Sequence, residues 1–143
     1  MKAGKILRSG ITGTSLMTLF SYTVSNLKKE NFREPELLAE LLENALQKNN
    51  LALPAGWSMH YSMGITWAAL FEYLFDQTAI KRGLKSGLVL GTLSGLTGIV
   101  IWGAIFKFHP NRPRIDFKGF YGHLLLAHIV YSLSVAGTSR LIK

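Results

Sequence analysis

GLVLGTLSGLTGIVIWGAIF, residues 87–106, carries no charged side chain and is the most apolar stretch of the chain. Its length matches the ~20 residues that a helix needs to cross the hydrocarbon of a bilayer. Gly87, Gly91 and Gly95 recur at helical spacing, with Gly98 close to the same face. Small residues at that interval let membrane helices approach backbone to backbone. These glycines lie inside a hydrophobic run rather than in a phosphate-binding loop. The segment reads as a membrane helix packed through its small-residue face.

Three further stretches fit beside it. Residues 6–27 follow the basic Lys2, Lys5 and Arg8; residues 57–75 run from Trp57 to Phe75, and residues 120–139 from Phe120 to Ser139. A basic start before an apolar run also suits a secretory signal, but 6–27 is nearly long enough to span and is read as the first membrane helix. The 143 residues are the length of one domain. Hydrophobic residues make up 48% and charged residues 17%, below the roughly 25% charge of soluble domains, and the charges cluster between the apolar stretches. The expected fold is all-α: an integral membrane bundle of four transmembrane helices forming one domain.

The longest polar section, 28–56, contains PELLAELLENALQ at 35–47. Leu37, Leu38, Leu41, Leu42 and Leu46 fall on one stripe, and Glu36, Glu40 and Glu43 lie elsewhere. That spacing predicts an amphipathic helix with Pro35 at its first position. Its acidity disfavours anionic lipid and favours packing on protein. Leu53-Pro54-Ala55-Gly56 should break it. The links from span two to three (76–86) and from three to four (107–119) are short, so successive spans should be antiparallel neighbours with both termini on one side.

The formal net charge is +8. Basic residues flanking apolar spans answer to lipid headgroups and insertion topology, so nucleic acid is not an expected partner. Each side carries eight basic residues, among them Lys81, Arg82 and Lys85 on the terminal side and Lys107, Arg112 and Arg114 opposite. The positive-inside rule therefore ties; the basic N-terminus points to cytoplasmic termini. With no cysteine, disulfides, thiolate metal sites and cysteine nucleophiles are excluded. No nucleophile elbow, Walker sequence or dinucleotide fingerprint occurs, and neither catalytic residues nor a resident cofactor or metal is expected.

Gly10, Thr14, Thr18, Ser21 and Ser25 give the first span a small-residue stripe, which should meet the glycines of the third; a homodimer seam is the rival use. Aromatic residues such as Trp57, Tyr61, Trp102, Phe106 and Phe120 crowd the non-terminal span ends and read as an interfacial belt.

Ionisable groups cost roughly 2.5–3.5 kcal/mol each at the centre of a membrane helix on insertion scales, so they tend to be functional or paired. The intramembrane candidates are His60 and Glu72 in span two and His123 and His128 in span four. His60, His109 (just beyond span three) and His123 fall near one membrane face and would be the ligands of any metal or haem site. No short ligand motif supports such a site. Glu72 lies about 18 Å further along its helix than His60, towards Lys81, Arg82 and Lys85. Glu72 and His128 could relay protons. The structural alternative pairs Glu72 with a basic residue of the next loop and His128 with a hydroxyl such as Ser132 or Ser15.

From His60 onward the chain resembles the YagU-like family of bacterial inner-membrane proteins. The resembling elements are His60-Tyr61-Ser62 opening a helix, Phe71-Glu72-Tyr73 near its end, and a short basic link. A glycine-rich helix through Gly87 and Gly91, a loop with Pro110 and Pro113, and Phe120-Tyr121-Gly122-His123-Leu124 follow. Here the histidine-to-acid spacing is about one turn shorter, Trp102 stands where a histidine is expected, and the acidic segment has no counterpart. The resemblance implies a shared helical scaffold in a bacterial inner membrane and a shared role for Glu72 and His123; the family's own activity is largely uncharacterised. The function expected is a non-enzymatic helical scaffold, either a homo-oligomer or an accessory subunit of a larger membrane assembly. The alternative is a small transport or proton-handling protein using Glu72, His128 and His123.

Overall fold

The computed structural model describes residues 3–43 and 50–142. Five helices and no strand make up the described chain: α1 (Ala3–Lys28), α2 (Glu34–Glu43), α3 (Ala52–Gln77), α4 (Leu84–Phe108) and α5 (Phe117–Leu141). The all-α expectation is met. Residues 44–47 of the expected amphipathic helix, including Leu46, lie outside the described residues.

At 1.5 Å per residue, each of the four long helices extends about 38 Å. By length and composition α4 and α5 are apolar enough to cross a membrane. Helix α3 begins earlier than expected, because Pro54 and Gly56 belong to its first turns and do not interrupt the chain there. Proline is tolerated in a first turn, whose N–H groups have no intrahelical acceptor.

Helix α1 ends on Lys29, whose φ of 55° is left-handed. The Glu30 N–H then reaches back to the Ser25 carbonyl at 3.2 Å, the six-to-one bond of a Schellman turn. The Phe32 N–H donates to Ser25 Oγ. This reversal aims α2 back into the bundle, where Gly56 of α3 lies directly beneath the Pro35 carbonyl and Ala39.

Helix α1 stands between α3 and α5, and α4 packs on α5. Ser9 faces Glu72 and Thr18 faces His60, so α1 and α3 are antiparallel. Gly13 faces Val135 and Tyr131 and Ser21 faces His123, so α1 and α5 are antiparallel too. Both ends of the described chain lie at the same end of the bundle.

The expected meeting of the α1 and α4 small-residue stripes does not occur. Gly87, Gly91 and Gly95 face Leu133, Ile129 and Leu125 of α5. Those three side chains recur every four residues and form a ridge that enters the glycine groove. Gly10 and Thr14 instead face Ile65, Ala68 and Gly64 of α3. The short 76–86 link does not make packed neighbours either: α3 and α4 scarcely touch, and a cavity separates them. The aromatic belt is also corrected in part. Trp102, Phe106 and Phe120 are buried; Trp102 and Phe106 each meet Phe120 edge-to-face and are tilted on each other, with Phe32 against Phe120. They are core, whereas Phe108 is exposed.

The core mixes apolar with polar side chains, and many large apolar side chains are on the outside. The buried side chains include Ser9, Thr14, Thr18, Ser21, Ser25, His60, Glu72, Ser94, His123, His128 and Ser132. Leu7, Ile11, Leu19, Met63, Leu93, Leu96, Val100 and Leu126 are exposed.

Candidate functional site

The buried polar groups form two clusters at opposite ends of α3. The first is built on α2. Its Glu34 accepts a hydrogen bond from Ser21 Oγ at 3.0 Å and lies 3.5 Å from His123 Nε2. Because the Ser21 hydroxyl donates to Glu34, it accepts from His123 Nε2–H, 3.0 Å away. The His123 ring is held between Phe20 and Phe32, each stacked at 5.4 Å. Among the described residues His123 Nδ1 and Glu34 Oε2 are buried without hydrogen-bond partners.

One helical turn along α1, the same logic fixes His60. Thr18 Oγ1 donates to the Thr14 carbonyl at 2.7 Å, so it accepts from His60 Nε2–H at 2.9 Å. In the neutral ring Nδ1 is then an acceptor. His128 Nδ1 donates to the Leu124 carbonyl at 2.9 Å, which leaves its Nε2 as the acceptor. Its ring packs over Gly98 of α4, where a Cβ would lie 3.0 Å from His128 Cε1.

Burial is the largest single influence on Glu34 and acts to raise its pKa, but the contact with His123, the nearby His60 and the backbone N–H of Glu34 together outweigh it and hold the carboxyl below its ordinary value. The N-terminus of α2, where Glu34 sits, favours the same charge.

A cavity of about 180 Å³ adjoins this cluster; Glu34, His60 and His128 line it together with Thr14 and Tyr131. Its walls include Trp67 of α3 and Trp102 of α4, and the exposed Met59, Met63 and Ile101 mark its rim.

The second cluster surrounds Glu72. Arg82, from the α3–α4 link, pairs with Glu72 Oε2 at 3.1 Å and with Asp76, and its Nε donates to Ser139 Oγ at 2.8 Å. Ser9 Oγ approaches Glu72 Oε1 at 3.5 Å. The Arg82 guanidinium holds the Asp76 carboxyl below its ordinary value.

The sequence candidates thus divide. His60 and His123 share the Glu34 cluster, His128 lines the adjoining cavity, and Glu72 sits apart with a loop arginine. The expected hydroxyl partner of His128 is not used: the backbone of Leu124 serves instead, Ser132 Oγ is buried without a partner among the described residues, and Ser15 pairs with Tyr61. His109 accepts the Asn111 N–H locally and does not join His60 and His123. No group of three His, Asp or Glu among the described residues is placed to hold a metal ion.

Sequence reasoning missed Glu34 and Phe32. The signal for Glu34 was present: 34, 37 and 41 share one helical face, so Glu34 falls on the buried leucine stripe. The chain matches no family model, no curated protein and no solved structure.

Proposed function

We propose that this chain is a four-span integral membrane protein serving as a small helical scaffold, a homo-oligomer or an accessory subunit of a larger membrane assembly. The observation that carries the proposal is the outward placement of large apolar side chains. Large apolar side chains face outward along α1, α3, α4 and α5, and only 28% of the most apolar stretch of α4 is buried. A core helix of a soluble protein would be mostly buried. On α1 the hydroxyls of Ser9, Thr14, Thr18, Ser21 and Ser25, and on α3 the His60 imidazole and Glu72 carboxylate, lie on the inner faces, while the hydroxyl residues Ser15, Thr23, Ser58, Ser62 and Thr66 are exposed. In hydrocarbon, interhelical hydrogen bonds and close packing take over the cohesive role that water gives to apolar burial.

The inner groups supply those bonds. Ser9 to Glu72 and Thr18 to His60 join α1 to α3, Ser21 joins α1 to both α2 and α5, and Arg82 joins α3 to α5. Groups used in this way act as structural ties, which supports a non-enzymatic reading. Through its resemblance to the YagU-like proteins, the proposal extends to a bacterial inner membrane.

A second reading, proton handling, is favoured by one feature. The inner hydroxyls of α1 run from Ser9 beside Glu72 to Ser21 beside Glu34 and His123. Glu72→Gln separates the two readings. In proteoliposomes a scaffold variant retains its assembled mass in mild detergent, and its proton permeability equals that of wild type. A relay variant folds and assembles but loses a proton flux that wild type shows.

A further inference from the structure

Hydrogen-bond roles around the α3–α4 cavity are nearly all of one kind. Thr14 Oγ1 donates to the Gly10 carbonyl and the Tyr131 hydroxyl donates to the Gly64 carbonyl. His60 uses its Nε2–H on Thr18, and His128 its Nδ1–H on Leu124. Apart from the indole N–H groups, the polar side chains lining the cavity offer lone pairs.

Glu34 adds negative charge, with Oε2 lacking a partner among the described residues. Its nearest cation in sequence, Arg33, is turned towards Glu36 and Asn26. His123 Nε2 lies 3.5 Å from Glu34 but donates to Ser21, and its Nδ1 is buried without a partner among the described residues. The cavity is therefore rich in acceptors and anionic, with Trp67 and Trp102 in its walls. Indole faces attract cations, and thioethers such as those of Met59 and Met63 adapt to irregular apolar ligands. The exposed Met63 and Ile101 at the rim place the mouth on the bundle's apolar outer surface.

We propose that this cavity binds a lipophilic organic ammonium, its N–H donors directed to Glu34, His60 and His128 and its apolar tail leaving between α3 and α4. Charge complementarity, donor demand and the apolar exit each point to that class. An anion would meet the Glu34 carboxylate, and a neutral alcohol would leave the charge unanswered. The inference depends on the cavity and not on the number of spans, so its failure leaves the membrane reading untouched.

The test is binding of octylammonium to the full chain in nanodiscs of neutral lipid at pH 7, read by tryptophan fluorescence and by competition with a fluorescent alkylamine. Octanol and octanoate are the controls. Octylammonium should bind at least tenfold more tightly than either, and Glu34→Gln should abolish that preference. Because Glu34 also holds Ser21, a second pair guards against misfolding: Ile101→Trp at the rim should weaken binding, and Leu93→Trp, exposed elsewhere on α4, should not. Equal binding of octylammonium and octanol would overturn the proposal. So would octylammonium binding indifferent to both Glu34→Gln and Ile101→Trp.

Discussion

Replacing Gly91 with alanine should loosen the α4–α5 contact along its length. An added Cβ would lie 2.7 Å from the Ile129 Cα and 3.1 Å from both the His128 carbonyl and the Ser132 Cβ. Two of these three atoms are backbone, so no rotamer change relieves the clash. Recovering an ordinary contact of at least 3.4 Å requires the helices to part by about 0.7 Å at this point. Overpacking of this kind costs about 1–3 kcal/mol. Alanine also gains up to about 1 kcal/mol of helix propensity over glycine, which would blur a comparison with wild type alone. Gly137→Ala on α5 supplies the reference, since a Cβ there meets nothing within 4 Å. The propensity gain is common to both variants, so the difference of about 1–3 kcal/mol reports packing. The assay is unfolding in mixed micelles with increasing dodecyl sulfate, followed by far-UV circular dichroism. Gly91→Ala should unfold at a lower detergent fraction than Gly137→Ala. Coincident transitions would refute the glycine-groove packing of α4 on α5.

Arg82→Ala should destabilise the bundle by about 3 kcal/mol, because it leaves the buried Glu72 carboxylate without its cation; adding Glu72→Gln should restore most of the loss in the same assay. Lys29→Gly should raise stability by about 0.5–1 kcal/mol, since glycine occupies the left-handed position at the end of α1 without strain. A lowered melting temperature would contradict that turn. Glu34 has a folded pKa held below its unfolded value of about 4.3. Its contribution is therefore fully present above that pH and is lost as pH falls through the lower folded value. The stability difference between wild type and Glu34→Gln should shrink as pH drops from 6 to 3, and a pH-independent difference would remove Glu34 from the ionised set.

The helical class and the four long segments were legible because apolar runs near ~20 residues leave few alternatives. The pairing of Glu72 with a loop cation was legible as well, since Arg82 follows within a short link. Which helices meet was not. Glycine spacing marks a groove but not its occupant, and the matching signal was the Leu125, Ile129, Leu133 ridge on α5. Trp and Phe suit both an interface and a core, so their place near span ends does not separate a belt from a core. Only the packing of Trp102, Phe106 and Phe120 distinguishes the two. Glu34 escaped notice because an acid at a helix start is ordinarily an exposed complement to the helix dipole. Here the Lys29 reversal turns that start inward, over Ser21 and His123.

The four-span reading is tested most directly by labelling single cysteines in sealed membranes with an impermeant maleimide. The chain contains no cysteine of its own, so Glu30→Cys, Lys81→Cys and Asn111→Cys, all at exposed positions outside the helices, each report one site. Four spans predict that positions 30 and 111 label from the same face and position 81 from the opposite one. If positions 30 and 81 label together, opposite 111, α3 does not cross the bilayer and the four-span account is wrong.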